Sequence, residues 1–370
     1  MNKQIIIIAL QILVIYNISG QQTTNWENFR GNSQLTGYLN IDIPNNVDIK
    51  WMYKTGSEVK SSPVAKNNKI IIGSTDGYVY CLNMQGKLVW KFNTGNAIEA
   101  SALIYNQNVI IGNLSGSLFS LKLDDGIKNW EYKTENQIMA APNCWTSGNK
   151  SYILVGSYDY YLHCIDARTG KGAWKYESNN YLNAAVAIHK NLAVFGGCDG
   201  FLHLVNIPDG KAEAKIEIAT YVAGSACLDN GFAYVGDYDG GFSCINLGEK
   251  KISWKWSDEK TGLPFIASPS VYNNKVIIGN RNKHVYCFNK NSGELLWKTN
   301  TGERVDASAL VTSTKVLVTN MRGDILLLDL KDGKILWSYE LGSPIFSNPA
   351  VIDGKIIVGA QDGNIYCLGN

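Results

Sequence analysis

Residues 73–90, GSTDGYVYCLNMQGKLVW, set an aspartate, a cysteine and a tryptophan within one short stretch. A carboxylate can serve as base or ligand, a thiol as nucleophile, an indole as a platform for a planar cofactor. Each residue type, however, recurs in phase along the chain. Asp76 has counterparts at Asp159, Asp199, Asp239 and Asp362, and Cys81 at Cys164, Cys244, Cys287 and Cys367. Cys144, Cys198 and Cys227 fall outside this series, and no C-x₂-C metal spacing, G-x-S-x-G or H-E-x-x-H occurs. His163 and His203 stand where other repeats carry Tyr80, Tyr286 and Tyr366, which assigns them to aromatic packing. A catalytic group is needed once, so this periodicity speaks for architecture.

The tryptophans give the period. Trp51, Trp90, Trp130, Trp174, Trp254, Trp297 and Trp337 are separated by 39, 40, 44, 80, 43 and 40 residues, and the midpoint of the double step is Ala214. Eight copies of a turn motif (STDGYVY, NLSGSLF, SYDYYLH, GCDGFLH, DYDGGFS, NRNKHVY, NMRGDIL, AQDGNIY) share this phase. Each copy parses as four short strands. A triplet of small residues opens the first strand, a β-branched run such as KIIIG forms the second, and an apolar run such as YVYCL the third. The fourth carries the tryptophan. Asp-Gly between apolar runs predicts a type I′ hairpin turn. No segment shows helical periodicity. Four strands every 40 residues predict an all-β, eight-bladed β-propeller of four-stranded antiparallel blades. The chain stops after a third strand, and residues 48–56 form a fourth strand lacking its first three, so the N-terminal strand is expected to complete the last blade and close the ring. The tryptophans then dock blade on blade, each burying ~150–250 Å². Ala214 marks a looser seam, where Ala214→Trp is expected to be tolerated or stabilising.

The segments IDARTGKGAW, LDLKDGKILW and FNKNSGELLW resemble the tryptophan-docking motif of pyrroloquinoline-quinone (PQQ) type propeller repeats, over residues 26–370. WENFRGNSQLTG (residues 26–37) is similar to the segment that precedes such propellers in exported bacterial proteins. The resemblance implies one of two functions. Quinoprotein dehydrogenases of this family bind PQQ and calcium at the channel mouth and oxidise an alcohol or sugar. A cofactor-free branch contains scaffolds such as the outer-membrane assembly factor BamB. This chain has no adjacent cysteine pair, and its repeats are near-minimal, with short insertions around residues 144–151 and 258–264. Both features favour the cofactor-free branch and a non-catalytic scaffold with a protein partner in the cell envelope.

Where the repeats disagree, function has room. Two residues before each small triplet the chain is always apolar: Val59, Ile98, Ile138, Leu182, Val222, Phe265, Val305, Ile345. One residue before it stand Lys60, Glu99, Met139, Asn183, Ala223, Ile266, Asp306 and Phe346. A column that accepts Lys, Glu and Asp beside Phe is not closed in by neighbours. It is expected at the channel mouth, with Lys60, Glu99, Asn183 and Asp306 as polar groups and Met139, Ile266 and Phe346 as an apolar patch. Residues 257–265 form a longer loop over the same face.

Residues 1–20 read as an export signal: Lys3, then a 14-residue apolar run at 5–18, then Ser19-Gly20 before the cut. The run is short for a ~30 Å hydrocarbon core. No cysteine follows it before Cys81, which argues against a lipoprotein anchor. The expected organisation is a signal at 1–20, an N-terminal extension at 21–47 and the propeller at 48–370. The mature chain is then a monomer with no membrane span, periplasmic or extracellular. A formal charge of +2, from Lys+Arg 34 against Asp+Glu 32 with no basic run, gives no footprint for nucleic acid.

Overall fold

Each repeat does fold as a four-stranded antiparallel meander in sequence order, and there are eight such sheets. The computed structural model describes residues 25–218, 220–257 and 262–370; the expected export signal lies outside these. Blades 1 to 7 comprise residues 64–93, 103–133, 143–177, 187–217, 227–257, 270–300 and 310–340. Blade 8 takes three strands from residues 350–369 and its fourth from Asp48–Lys54, which pairs antiparallel with Asn364–Gly369. The two ends of the chain thus hold the ring shut. Second and third strands are buried on both faces, as between stacked sheets, whereas outer strands alternate half-buried and exposed. Among the described residues no helix is long and apolar enough to cross a membrane.

The Asp-Gly turns differ from expectation. Only the glycine has positive φ (Gly77, +87°), and Asp76 does not. Gly77 N–H donates to Ser74 O (3.1 Å) and Ser74 N–H to Tyr78 O (3.1 Å), the pattern of a type I turn followed by a G1 bulge. The aspartate is kept because its carboxylate accepts from the Tyr78 N–H (2.9 Å) and the Tyr80 hydroxyl (2.6 Å). His163 and His203 replace that tyrosine with the same contact: they reach Asp159 and Asp199, and their Nδ1 atoms meet the hydroxyls of Tyr132 and Tyr176, each at 3.1 Å. They are therefore hydrogen-bonded as well as packed, and both are fully buried.

Three joints fix blade to blade. In all eight blades a bulge just before the tryptophan position breaks the register between third and fourth strands, setting Trp90 opposite Cys81 and Trp254 opposite Cys244. The bulge aims the indole at the next blade. There Nε1–H donates to a turn carbonyl, as Trp90 to Leu123 (2.9 Å) and Trp174 to Ile207 (2.9 Å), and the ring covers a positive-φ glycine. A Cβ on Gly126 would stand 2.7 Å from the Trp90 ring, so only glycine fits. Among the described residues six tryptophans make this bond; Trp337 faces blade 8, whose third and fourth strands come from two separate segments and share no such turn. The second joint lies nearer the axis. Ile98 presses on Gly73, Val222 on Gly196 and Val59 on Gly359, at 2.2–2.3 Å from a built Cβ. The third is a girdle of small polar residues round the channel. Ser62 N–H donates to Ser101 Oγ (3.0 Å), Ala185 to Ser225 (2.9 Å), Ser225 to Ser268 (3.0 Å) and Ser268 to Ser308 (2.8 Å). Ser308 N–H donates to Asn348 Oδ1, and Asn348 N–H to Ser62 Oγ (3.0 Å).

The N-terminal extension is built into the ring. First strands have a free edge towards the axis, and residues 26–39 pair with it blade by blade. Trp26 and Ala65 exchange two bonds (2.9 and 2.8 Å); Ile104 N–H donates to Glu27 O (2.7 Å) and Ile188 to Ser33 O (2.8 Å). Leu228, Val271 and Val311 donate to the carbonyls of Gln34, Thr36 and Gly37 at 2.8–2.9 Å. Asn143 Nδ2 serves blade 3 through Ser33 O (2.9 Å), and Ile43 and Val47 join the core of blade 8. This circlet gives the inner N–H groups the partners that a buried strand edge requires. Arg30, at φ 62° and 3% exposed, anchors it by donating to Pro269 O (2.9 Å), Ala309 O and Ser270 Oγ. Burial pulls its pKa down to about 10, so it stays protonated at neutral pH.

Candidate functional site at the channel mouth

Three levels follow one another along every first strand. The variable column (60, 99, 139 and so on) is outermost, the girdle lies two residues further in, and the circlet pairs three residues beyond the girdle. The channel is therefore a blind well. It is closed below by residues 26–39 and open on the face bearing the loops into the first strands and the second–third turns. A cavity of about 160 Å³ occupies it, floored by Phe29 and ringed by Lys60, Glu99, Met139, Asn183 and Phe346. These five of the expected mouth residues do converge. Ile266 and Asp306 do not line it. Asp306 turns away to a two-point ion pair with Arg281 (3.1 and 3.2 Å) and a weaker one with Arg304 (3.5 Å), leaving its side chain 4% exposed.

Inside the mouth, Lys60 Nζ lies 2.8 Å from Glu99 Oε1, 3.7 Å from Glu58 and 5.9 Å from the centre of the Phe346 ring. The hydrogen bond to Glu99, above all, raises the Lys60 pKa against the opposing effect of burial. Asn183 Oδ1 is buried and accepts no hydrogen bond from the described residues.

These residues do not suit PQQ and calcium. Glu99 is already neutralised by an ammonium, and Asp306 is spent on two arginines outside the cavity. Among the described residues no three His, Cys, Asp or Glu side chains converge as a metal site. The well is also below the ~300–1,000 Å³ of pockets that enclose a drug-sized ligand or a cofactor of PQQ's size. All eight cysteines are free, and burial raises the thiols of Cys81, Cys227, Cys244 and Cys287 to about 12.

A family model described as outer membrane protein assembly factor BamB matches residues 45–256 and 281–368. The chain belongs to the BamB family of PQQ-type propellers. Among solved structures, BamB from Moraxella catarrhalis superposes with TM-score 0.74 at 18% identity, over 88% of this chain and 98% of that one. A europium-containing methanol dehydrogenase gives 0.75 at 12%, over 94% and 98%. The quinohemoprotein alcohol dehydrogenase from Comamonas testosteroni gives 0.76 at 12%, over 93% and 80%. At such identities these likenesses establish the fold alone, shared by assembly factor and dehydrogenase alike. No curated protein matches by sequence. Membership of the BamB family therefore rests on the family model, and it agrees with a mouth unsuited to the dehydrogenase cofactor.

The BamB-family frame draws attention to a feature the sequence reading missed. Beside the well, on the open face of blades 3 to 5, lies an arc of exposed aromatics. Tyr160, Tyr181, Tyr221 and Tyr238 are 40–47% exposed, and Leu263 is 42% exposed at the end of the arc. Tyr181 packs against Tyr158 (4.7 Å) and Tyr160 (5.1 Å), and Tyr221 against Tyr238 (6.1 Å). Backbone bonds fix their bases: Cys198 N–H donates to Tyr181 O (3.2 Å) and Tyr238 N–H to Tyr221 O (3.0 Å). The signal was present in a further column of the repeat, where blades elsewhere carry Glu58, Gln137 and Arg304 but blades 4 and 5 carry Tyr181 and Tyr221. Gly262 and Leu263, from the longer loop whose residues 258–261 lie outside the described set, border the same arc against Gly240.

Proposed function

We propose that this chain is an exported, cofactor-free scaffold that binds a protein partner in the cell envelope through its open face. The tyrosine arc carries the reading. Exposed tyrosines on a rigid frame are preferred anchors of protein interfaces, because they bring contact area at little cost in side-chain entropy. The ring keeps that frame rigid, so binding orders few groups. Membership of a family described as an assembly factor supports an envelope setting, and the apolar segment at 5–18 supports export. Lys60, Glu99, Met139, Asn183 and Phe346 adjoin the arc as secondary contacts, with Ile266 and Asp306 supporting the rim. The protomer is proposed to act as a monomer, without nucleic acid.

The test is affinity capture from envelope extracts with the native chain and with Tyr181→Ser/Tyr221→Ser. The reading expects a stoichiometric protein partner that the double variant loses while its circular dichroism and melting stay native. Equal capture by both proteins contradicts it.

A further inference from the structure

We propose that the channel holds a binding site for a small neutral polyol, of about the size of a hexose, at a gap in the girdle. The girdle has eight positions, and six links are made. The exceptions are adjacent. Ser101 and Ala141 aim their N–H groups at positions 141 and 185, where alanine methyls stand in place of hydroxyls. Neither N–H has an acceptor among the described residues, and both residues are 5% exposed. Buried orphan N–H groups are rare in native proteins. The unpaired Asn183 Oδ1 lines the same cavity.

The gap thus presents two donors and one acceptor, with Glu99 as a second acceptor at the mouth. A ligand hydroxyl both accepts and donates, so one polyol can supply the missing girdle oxygens and satisfy Asn183 as well. The remaining walls, Phe29 and Phe346, are aromatic and suit the C–H faces of a sugar ring. A carboxylate is disfavoured because Glu58 and Glu99 outnumber Lys60, and a divalent cation because Lys60 already neutralises Glu99. At about 160 Å³ the cavity is roughly half the lower end of drug-sized pockets, so its ligand is small, of the order of one sugar ring.

The girdle can be repaired. Ala141→Ser with Ala185→Ser supplies both acceptors from the protein. Ligand-observed NMR and titration calorimetry would be run on the native chain, the repaired variant and Asn183→Ala, with the common aldohexoses and myo-inositol as probes. We expect at least one probe to saturate the native chain. Asn183→Ala should weaken it about tenfold or more, as loss of a buried hydrogen bond requires, and the repaired variant should lose it while melting higher. Absence of binding by every probe, or equal binding to native and repaired chains, overturns the proposal. Neither outcome bears on the tyrosine arc, which lies outside the well.

Discussion

Ala214 faces Lys250 across the seam between blades 4 and 5, where six other seams set a tryptophan against a glycine. Lys250 holds the same left-handed turn position, at φ 57°, and its ammonium pairs with Glu213 at 3.5 Å. Tryptophan and glycine are one device, and this seam has lost both halves together.

The expectation that Ala214→Trp alone is tolerated is therefore revised. A tryptophan there meets a Cβ that at other seams would stand 2.5–2.7 Å from the indole. We expect Ala214→Trp to destabilise by about 1–3 kcal/mol. Ala214→Trp with Lys250→Gly should exceed native stability by about 1–3 kcal/mol, through buried indole surface and relief of the left-handed lysine. Urea unfolding of the two single variants and the double variant gives the coupling directly.

Truncating a complete clamp should be costly. Trp90→Ala removes an indole that is 8% exposed and its bond to Leu123 O. A loss of about 3–5 kcal/mol is expected. Trp337→Phe should cost less than Trp90→Phe, because among the described residues Trp337 makes no indole hydrogen bond. Paired melting curves check the order.

The circlet should act as a fastener for the whole ring. Arg30→Met strips donors from Pro269 O, Ala309 O and Ser270 Oγ while filling similar volume. Ala309 O keeps the Ser270 hydroxyl (2.6 Å), but Pro269 O loses this donor and Ser270 Oγ the bond it accepts, which should cost about 2–4 kcal/mol. Hydrogen exchange should then rise at Val271 and Val311, which pair with the circlet beside Arg30, before it rises in the outer strands.

Acid should weaken the turns. Burial acts most strongly on Asp159 and Asp362 and would raise their pKa values. Hydrogen bonds, led by His163 and Tyr366 respectively, outweigh it, and the net shift is downward. A carboxylate depressed by folding contributes stability that is complete above its unfolded pKa of about 3.9 and is lost as pH falls through the folded value. Melting temperature should thus hold from neutral pH to about 5 and decline below about 4. Asp362→Asn should flatten part of that decline.

The fold was legible because periodicity repeats its own evidence. Strand number, closure by Asp48–Lys54 and the docking role of Trp90 all followed from phase. What escaped had no repeat to announce it. Residues 26–39 occur once, and their role rests on backbone groups that any side chain carries. The turn type escaped because Asp-Gly suits both turns, and only the φ of Asp76 separates them. At the mouth, sequence placed Lys60 and Glu99 in one column but could not show them paired, nor that Asp306 turns away to Arg281. The tyrosines lay in columns where variation looked like ordinary loop drift.

The central claim is that the open face of blades 3 to 5 seats a protein partner. The most direct measurement is photo-crosslinking in intact cells from a benzophenone amino acid placed at Tyr181, at Tyr221 or, on the opposite rim, at Leu336. The account predicts one discrete adduct from Tyr181 and Tyr221 and none from Leu336. An adduct confined to Leu336, or no adduct from any site while the purified chain takes up PQQ with Ca²⁺ and turns over an alcohol, would contradict it.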